Sequence, residues 1–592
     1  MKKIFLLLFL GVTISGMAQN KDVIRSSGLR EVVGILASDS LKGRKPGTTE
    51  ADIAARYILR QFEDAGLKPM CDNGLQHFEV ITDVTLGPNN LLRFADTAGV
   101  LKKTFIPLAF SSSGTVSAPV VFAGYGFTID ADSLQWNDYK EIDCRTKWVM
   151  IFRADPEPDN PESRFIPYSD LRSKVLNAKD HGAAGVLLVS PAGLDPDDKL
   201  MPLVSENNDV TAGIPVIHIR RGLADLILKG TALTTDSLEN RMVRNKRPED
   251  IETGMRLEGT TDVMQMKERT SNVVACLEGS DPLLKEEYLV VGAHYDHLGM
   301  GGPASGSRMP DSTAVHNGAD DNASGTAMIV ELARRLSTET PPLKRSILFV
   351  AFSAEEMGLL GSKYFAGHAP VNPASLKAMF NFDMVGRFDR ESNSISVSGT
   401  GTSVEADSIL RSLEAGLPFT VVHAADGYGP SDHAAFYSSG VPVFYFTTGV
   451  HTDYHTPLDD SGKLDFESEA RIGDFASKVI RSVADNPQSL TFRESGSRDQ
   501  AGRGGRRLKV TLGIMPDFAG TEKKGLRVDG VTKDGPADRG GMKKGDIITF
   551  INAMPVGNIY EYMSRLSKLK HGMTVNVEVI RNEQKVILLI QL

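Results

Sequence analysis

Gly318-Ala319-Asp320-Asp321-Asn322-Ala323-Ser324-Gly325 marks a change of texture in the chain. Before it lies a run that reads as a buried strand. After it Ile329, Leu332, Ala333 and Leu336 share one face of a helix predicted over Ala323–Leu336. The octapeptide thus sets a carboxylate, Asp320, at a strand-to-helix turn. Upstream is His294-Tyr295-Asp296; downstream are Glu355-Glu356, Asn381-Phe382-Asp383-Met384 and Tyr454-His455-Thr456-Pro457. Two imidazoles and four carboxylates suit two metal ions sharing one carboxylate, with one glutamate left over as a base.

The surrounding pattern predicts an α/β domain with a mostly parallel central sheet flanked by helices. Its strands are expected at Tyr288–Ala293, Ser346–Phe352, Ala378–Phe382 and Val441–Thr447. Functional side chains of such sheets collect beyond the carboxyl ends of the strands. His294 closes one strand, Glu355 and Glu356 follow another, and Asp383 ends a third. This placement supports a site independently of the ligand inventory.

At 592 residues the chain exceeds one core, and three or four domains are expected. The net charge of −9 argues against broad nucleic-acid binding. Met1-Lys2-Lys3, the apolar run Ile4–Val12 and Gly16-Met17-Ala18 read as a signal peptide over 1–18. The run is too short to span a bilayer comfortably, so export to the periplasm or exterior is expected without stable membrane insertion. Cys71, Cys144 and Cys276 have no metal-ligand spacing and allow at most one disulfide.

Residues 19–112 and 259–490 are assigned to the catalytic domain. Near its start, Thr48 or Thr49 can cap a helix striped by Ala54, Tyr57, Ile58 and Phe62. Arg44 reads there as a packing element rather than a substrate clamp. Residues 113–258 hold short β-rich runs, including Trp148–Phe152 and Gly185–Val189, and no catalytic cluster. With its Gly182-Ala183-Ala184-Gly185-Val186 signal, this insert resembles a protease-associated domain. Residues 491–507 are rich in Gly, Arg and Ser and read as a linker. Residues 508–592, with Leu512-Gly513-Ile514, Gly541-Met542 and a helix near Ile559–Leu569, resemble a β-rich PDZ domain. That resemblance implies binding of an extended peptide or protein carboxyl terminus by strand addition.

Each candidate has an ordinary reading when taken alone. His294 and Asp296, two apart at a strand end, can point the same way, and Asp296 can accept the second ring N–H of the imidazole. Asp320 offers two oxygens to bridge two ions, and so tight a turn can include a cis peptide after it. Asp321 and Asn322 read as helix caps. Adjacent Glu355 and Glu356 divide naturally into one ligand and one free carboxylate. Asp383, after a buried strand, would be costly without a partner. The phenol of Tyr454 could stabilise an oxyanion.

Together the five ordered motifs resemble the co-catalytic di-zinc aminopeptidase family, which includes leucyl-type aminopeptidases and glutamate carboxypeptidases. The resemblance implies one zinc on His294 and Asp383, a second on Glu356 and His455, and Asp320 as the bridge. It implies Glu355 as general base, Asp296 as partner of His294, and hydrolysis of amino-terminal residues from peptides by a metal-activated water. A carboxypeptidase or dipeptidase of the same fold would need a basic clamp such as Arg387, and no arginine cluster lies near the motifs. A non-catalytic receptor on this fold would show lost ligands, and every matched position holds the expected residue type.

Overall fold

The computed structural model describes residues 23–131, 134–157, 160, 162–205, 210–303, 305–495, 510–516, 524–531 and 535–592. The expected signal peptide, and residues 496–507 of the expected linker, lie outside the described residues.

Four strands form the centre of the domain expected above to be catalytic, hereafter the catalytic domain: β1 (Tyr288–His294), β2 (Ser346–Phe352), β3 (Leu376–Phe382) and β4 (Val443–Thr447). They run parallel in the spatial order β2-β1-β3-β4 within a nine-stranded sheet. Every residue of β2 is buried. Such continuous apolar runs are what a strand covered on both faces requires. Helix α1 (Gly325–Leu336) packs on the sheet beneath helices Ser26–Leu36 and Phe466–Asp485. Its Ile329, Leu332 and Ala333 are fully buried, and each large aliphatic among such residues contributes roughly 1.5–3 kcal/mol. The helix expected near Thr48 spans Thr49–Asp64, and the Thr48 hydroxyl accepts the N–H of Ala51.

The insert has its own eight-stranded sheet. Gly114–Ala123, Trp148–Phe152, Gly185–Val189 and Val216–Ile219 form its parallel middle. Leu91–Phe94 pairs with Asp250–Thr261, and Phe105–Pro107 pairs with Val216–Ile219. The sheet therefore begins upstream of residue 113, because short segments before that point supply its edges. A ribbon of Leu75–Leu86 against Val263–Leu277 joins this sheet to the catalytic one.

The carboxyl-terminal module is a six-stranded antiparallel sheet with helix Ile559–Ser567. That helix packs on helix Leu171–Asp180 of the insert. Asp180 accepts two bonds from the Arg565 guanidinium, at 2.5 and 2.9 Å, and Lys179 pairs with Glu561 at 2.9 Å. All three cysteines are free. No described helix is long and apolar enough to cross a membrane.

Candidate metal centre

His294, Asp383 and the Glu355-Glu356 pair all lie at or just beyond the carboxyl ends of the parallel strands. His294 is the last residue of β1, Glu355 and Glu356 follow β2, and Asp383 follows β3. His455 lies in the loop after β4. The turn before α1 brings its own carboxylate to the same place, and that carboxylate is Asp321.

Two groups of donors converge. The first joins His294, Asp321 and Asp383, and the second joins His297, Asp321 and Glu356; within each, the ligand atoms lie within 4.8 Å of one another. His294 Nε2 is 3.4 Å from Asp321 Oδ1 and 3.5 Å from Asp383 Oδ1. His455 Nε2 is 3.1 Å from both Asp321 Oδ2 and Glu356 Oε2. The two oxygens of Asp321 thus face opposite groups. A tetrahedral zinc with nitrogen and oxygen ligands has donor–donor edges of about 3.3 Å, which these separations match. Asp321 Oδ2 and Asp383 Oδ1 are buried with no hydrogen-bond donor in line. The donor set fits zinc.

Asp320 joins neither group, contrary to the expectation that it would be the shared carboxylate; Asp321 stands in both. The reason is local. Asp320 Oδ1 accepts the N–H of Gly386 at 2.7 Å, and Oδ2 faces His451 Nε2 at 3.3 Å. Asp459 Oδ2 accepts the N–H groups of Asp320 and Asp321 at 2.9 and 3.0 Å and so aims the second aspartate inward. The cis peptide is Asp321–Asn322, one residue beyond the expected bond. Asn322 has a capping role: its Oδ1 accepts the N–H of Gly325.

Asp296 is also reassigned. Its main-chain carbonyl, not its carboxylate, faces His294 Nδ1 at 3.2 Å, while Oδ1 lies 3.8 Å away. The carboxylate instead accepts the N–H groups of Glu355 and Glu356 at 3.1 and 3.4 Å. It therefore holds the glutamate pair. Tyr454 stacks on the His455 ring at 3.8 Å.

Charge follows from this geometry. Burial, reinforced by Glu356, Asp432 and Asp383 and opposed by His294, holds the Glu355 carboxyl well above the usual range. Burial acts on Asp321 too, but His294, His455 and His297 outweigh it and hold that carboxyl well below its ordinary value. Burial of His455 is outweighed by Asp321 and Glu356, and its imidazole is pushed up to about 11. Burial raises Asp296 to about 6 and, with Asp321 and Glu356, keeps the Tyr454 phenol protonated. The carboxylates call for positive charge.

Three further residues shape the centre. Fully buried Arg44 donates to the carbonyls of Tyr295, Leu36, Asn317 and Gly318, and so ties the end of β1 to the aspartate turn. Arg387 is paired with Asp453 at 3.0 Å. His297, which sequence reasoning missed, lies 2.7 Å from Glu356 Oε1. The only signal for it was its spacing of three from His294, just past the strand end, where periodicity is lost.

Residues 272–480 match the model of Peptidase family M28, residues 116–227 the PA domain and residues 510–592 a PDZ domain. The chain is 25% identical over 373 residues to Aminopeptidase YwaD of Bacillus subtilis, covering 62% of this chain and 66% of that one. It is 27% identical over 294 residues to an aminopeptidase of Pseudomonas aeruginosa, covering 48% of this chain and 46% of that one. The chain thus spans between about half and two thirds of these relatives' lengths. A solved aminopeptidase from Aneurinibacillus sp. strain AM-1 superposes with a TM-score of 0.49 at 20% identity, covering 80% of this chain and 97% of that one.

Proposed function

We propose, from the premise that the chain belongs to peptidase family M28 and carries a PA domain and a PDZ domain, that it is an exported aminopeptidase with two zinc ions. The observation that carries this reading is the division of Asp321 between two donor groups, with Glu355 left over beside them. In it, His294 and Asp383 would hold one zinc and Glu356 and His455 the other, with Asp321 offering an oxygen to each group. Bound zinc supplies Lewis acidity toward the scissile carbonyl and the attacking water.

The remaining steps belong to the protein. Glu355 Oε2, 3.9 Å from His294 Nε2, accepts the proton of the attacking water and returns it to the leaving amine. Asp296 fixes the main chain of Glu355. Tyr454, kept protonated, donates to the developing oxyanion. The acidic surroundings attract the free amino terminus of a substrate. Arg387 pairs with Asp453 through Nη2, while its Nη1 is buried without a partner, so the acidic surroundings rather than this arginine support amino-terminal action.

The test compares peptides with free and blocked amino termini, with and without a chelator. Cleavage only of free amino termini, abolished by chelation, is the expected result. Equal cleavage of blocked peptides would reject exopeptidase action at that end. At the PDZ domain, the edge strand Ile514–Pro516 offers main-chain groups to an extended peptide or protein carboxyl terminus. Removing Arg493–Leu592 is expected to spare hydrolysis of small aminoacyl substrates and to change action on long peptides. Equal kinetics on both would leave the module without a substrate role.

A further inference from the structure

The His297 ring, itself a member of the second donor group, is fully buried beside the aspartate turn. Its Nδ1 is 2.7 Å from Glu356 Oε1 and 3.8 Å from Asp321 Oδ2. A carboxylate oxygen only accepts, so Nδ1 carries the proton and donates. Glu356 is then divided: Oε1 is engaged by His297, while Oε2 faces His455 Nε2 at 3.1 Å. The ring has little freedom to move. Its edge meets the His455 ring at a centroid distance of 5.7 Å and an interplanar angle of 73°. On its other side lies the backbone of Gly318, whose φ of +53° suits glycine. A Cβ at position 318 would fall 2.5 Å from ring atoms Cδ2 and Cγ of His297. The glycine that opens the aspartate turn therefore also makes room for this imidazole.

We propose that His297 is a positioning residue for the second metal position: its Nδ1–H fixes Glu356 so that Oε2 alone is presented beside His455 and Asp321. This rests on the two-zinc reading above. It gives Glu356 a dedicated side-chain donor, whereas the Nδ1 atoms of His294 and His455 face main-chain carbonyls, those of Asp296 and Gly306. Loss of such an outer hydrogen bond costs about 10–100-fold in metal affinity.

Three proteins decide the matter in zinc titrations against a chromophoric chelator: the full chain, His297→Ala and His297→Asn. An asparagine amide can place its N–H where Nδ1–H was but offers no ring nitrogen to a metal. The expected result is two zinc ions on the full chain, with one of the two weakened about 10–100-fold in His297→Ala and restored to within a few-fold in His297→Asn. Unchanged affinities in His297→Ala would overturn the proposal. Equal weakening in both variants would also overturn it and make His297 a ligand. A full chain that binds no zinc would instead remove the two-zinc reading itself. If His297→Ala does not fold, His297→Leu fills the ring volume without a donor and is judged by the same outcomes.

Discussion

Buried titratable groups occur in both the insert and the catalytic domain, but they are satisfied differently. In the insert, Lys174 donates to the carbonyls of Phe152 and Ala154 and lies 4.4 Å over the Phe127 ring. Asp138 accepts from Phe127 N–H at 2.8 Å and Trp136 Nε1–H at 2.9 Å. Ser190 Oγ lies 3.0 Å from His218 Nε2, a distance that suggests a nucleophile and its base. However, His218 Nδ1 accepts the N–H of Met201 at 3.0 Å, so Nε2 carries the proton and donates to the serine. A serine nucleophile needs the opposite polarity. Burial holds His218 down to about 3, which suits a neutral structural ring. Among the described residues, every buried carboxylate or imidazole atom without a hydrogen-bond partner belongs to the catalytic domain. A native fold rarely leaves such atoms unpaired. The unpaired oxygens of Asp321 and Asp383 coincide with the two donor groups, whereas those of Glu469 and the ring nitrogens of His433 lie outside them.

The sharpest break in this contrast is expected at Glu355. Glu355→Gln should retain metal while turnover falls about 10²–10⁴-fold; full activity with metal bound would reject the base. Metal uptake should be coupled to protons, because His294 is held well above its ordinary value and His455 up to about 11 by the carboxylates that outweigh their burial. An imidazole must lose its proton to bind, so affinity rises with pH below those values. Calorimetry in buffers of different ionisation enthalpy should report about two protons released near pH 7. In the insert, Lys174→Met should cost about 1–3 kcal/mol in chemical denaturation, because buried carbonyls lose their donor, and leave zinc content unchanged. Ser190→Ala should cost about 1 kcal/mol with no loss of turnover; inactivity would reinstate the serine as a catalytic group.

The α/β layout was legible because β1 to β4 are apolar runs of strand length, and their ends named His294, Asp383 and the glutamate pair. The sequence placed Asp320 in the shared position and Asp321 as a cap, and the structure reverses the pair. In an irregular turn, neighbouring side chains are aimed by distant groups, here the Gly386 and Asp459 contacts, and no local period encodes them. Asp296 failed for a related reason: beyond the strand end the alternation of side chains lapses, and its carboxylate turned to the N–H groups after β2. Arg44 showed its place near the catalytic helix, but not the four carbonyls it gathers from segments far apart in the chain.

Zinc content measured side by side on Asp320→Asn and Asp321→Asn tests the shared-carboxylate arrangement most directly. The expected result is two ions per chain retained in Asp320→Asn, and loss from both positions in Asp321→Asn. Two ions retained in Asp321→Asn, with loss in Asp320→Asn, would contradict the centre described above.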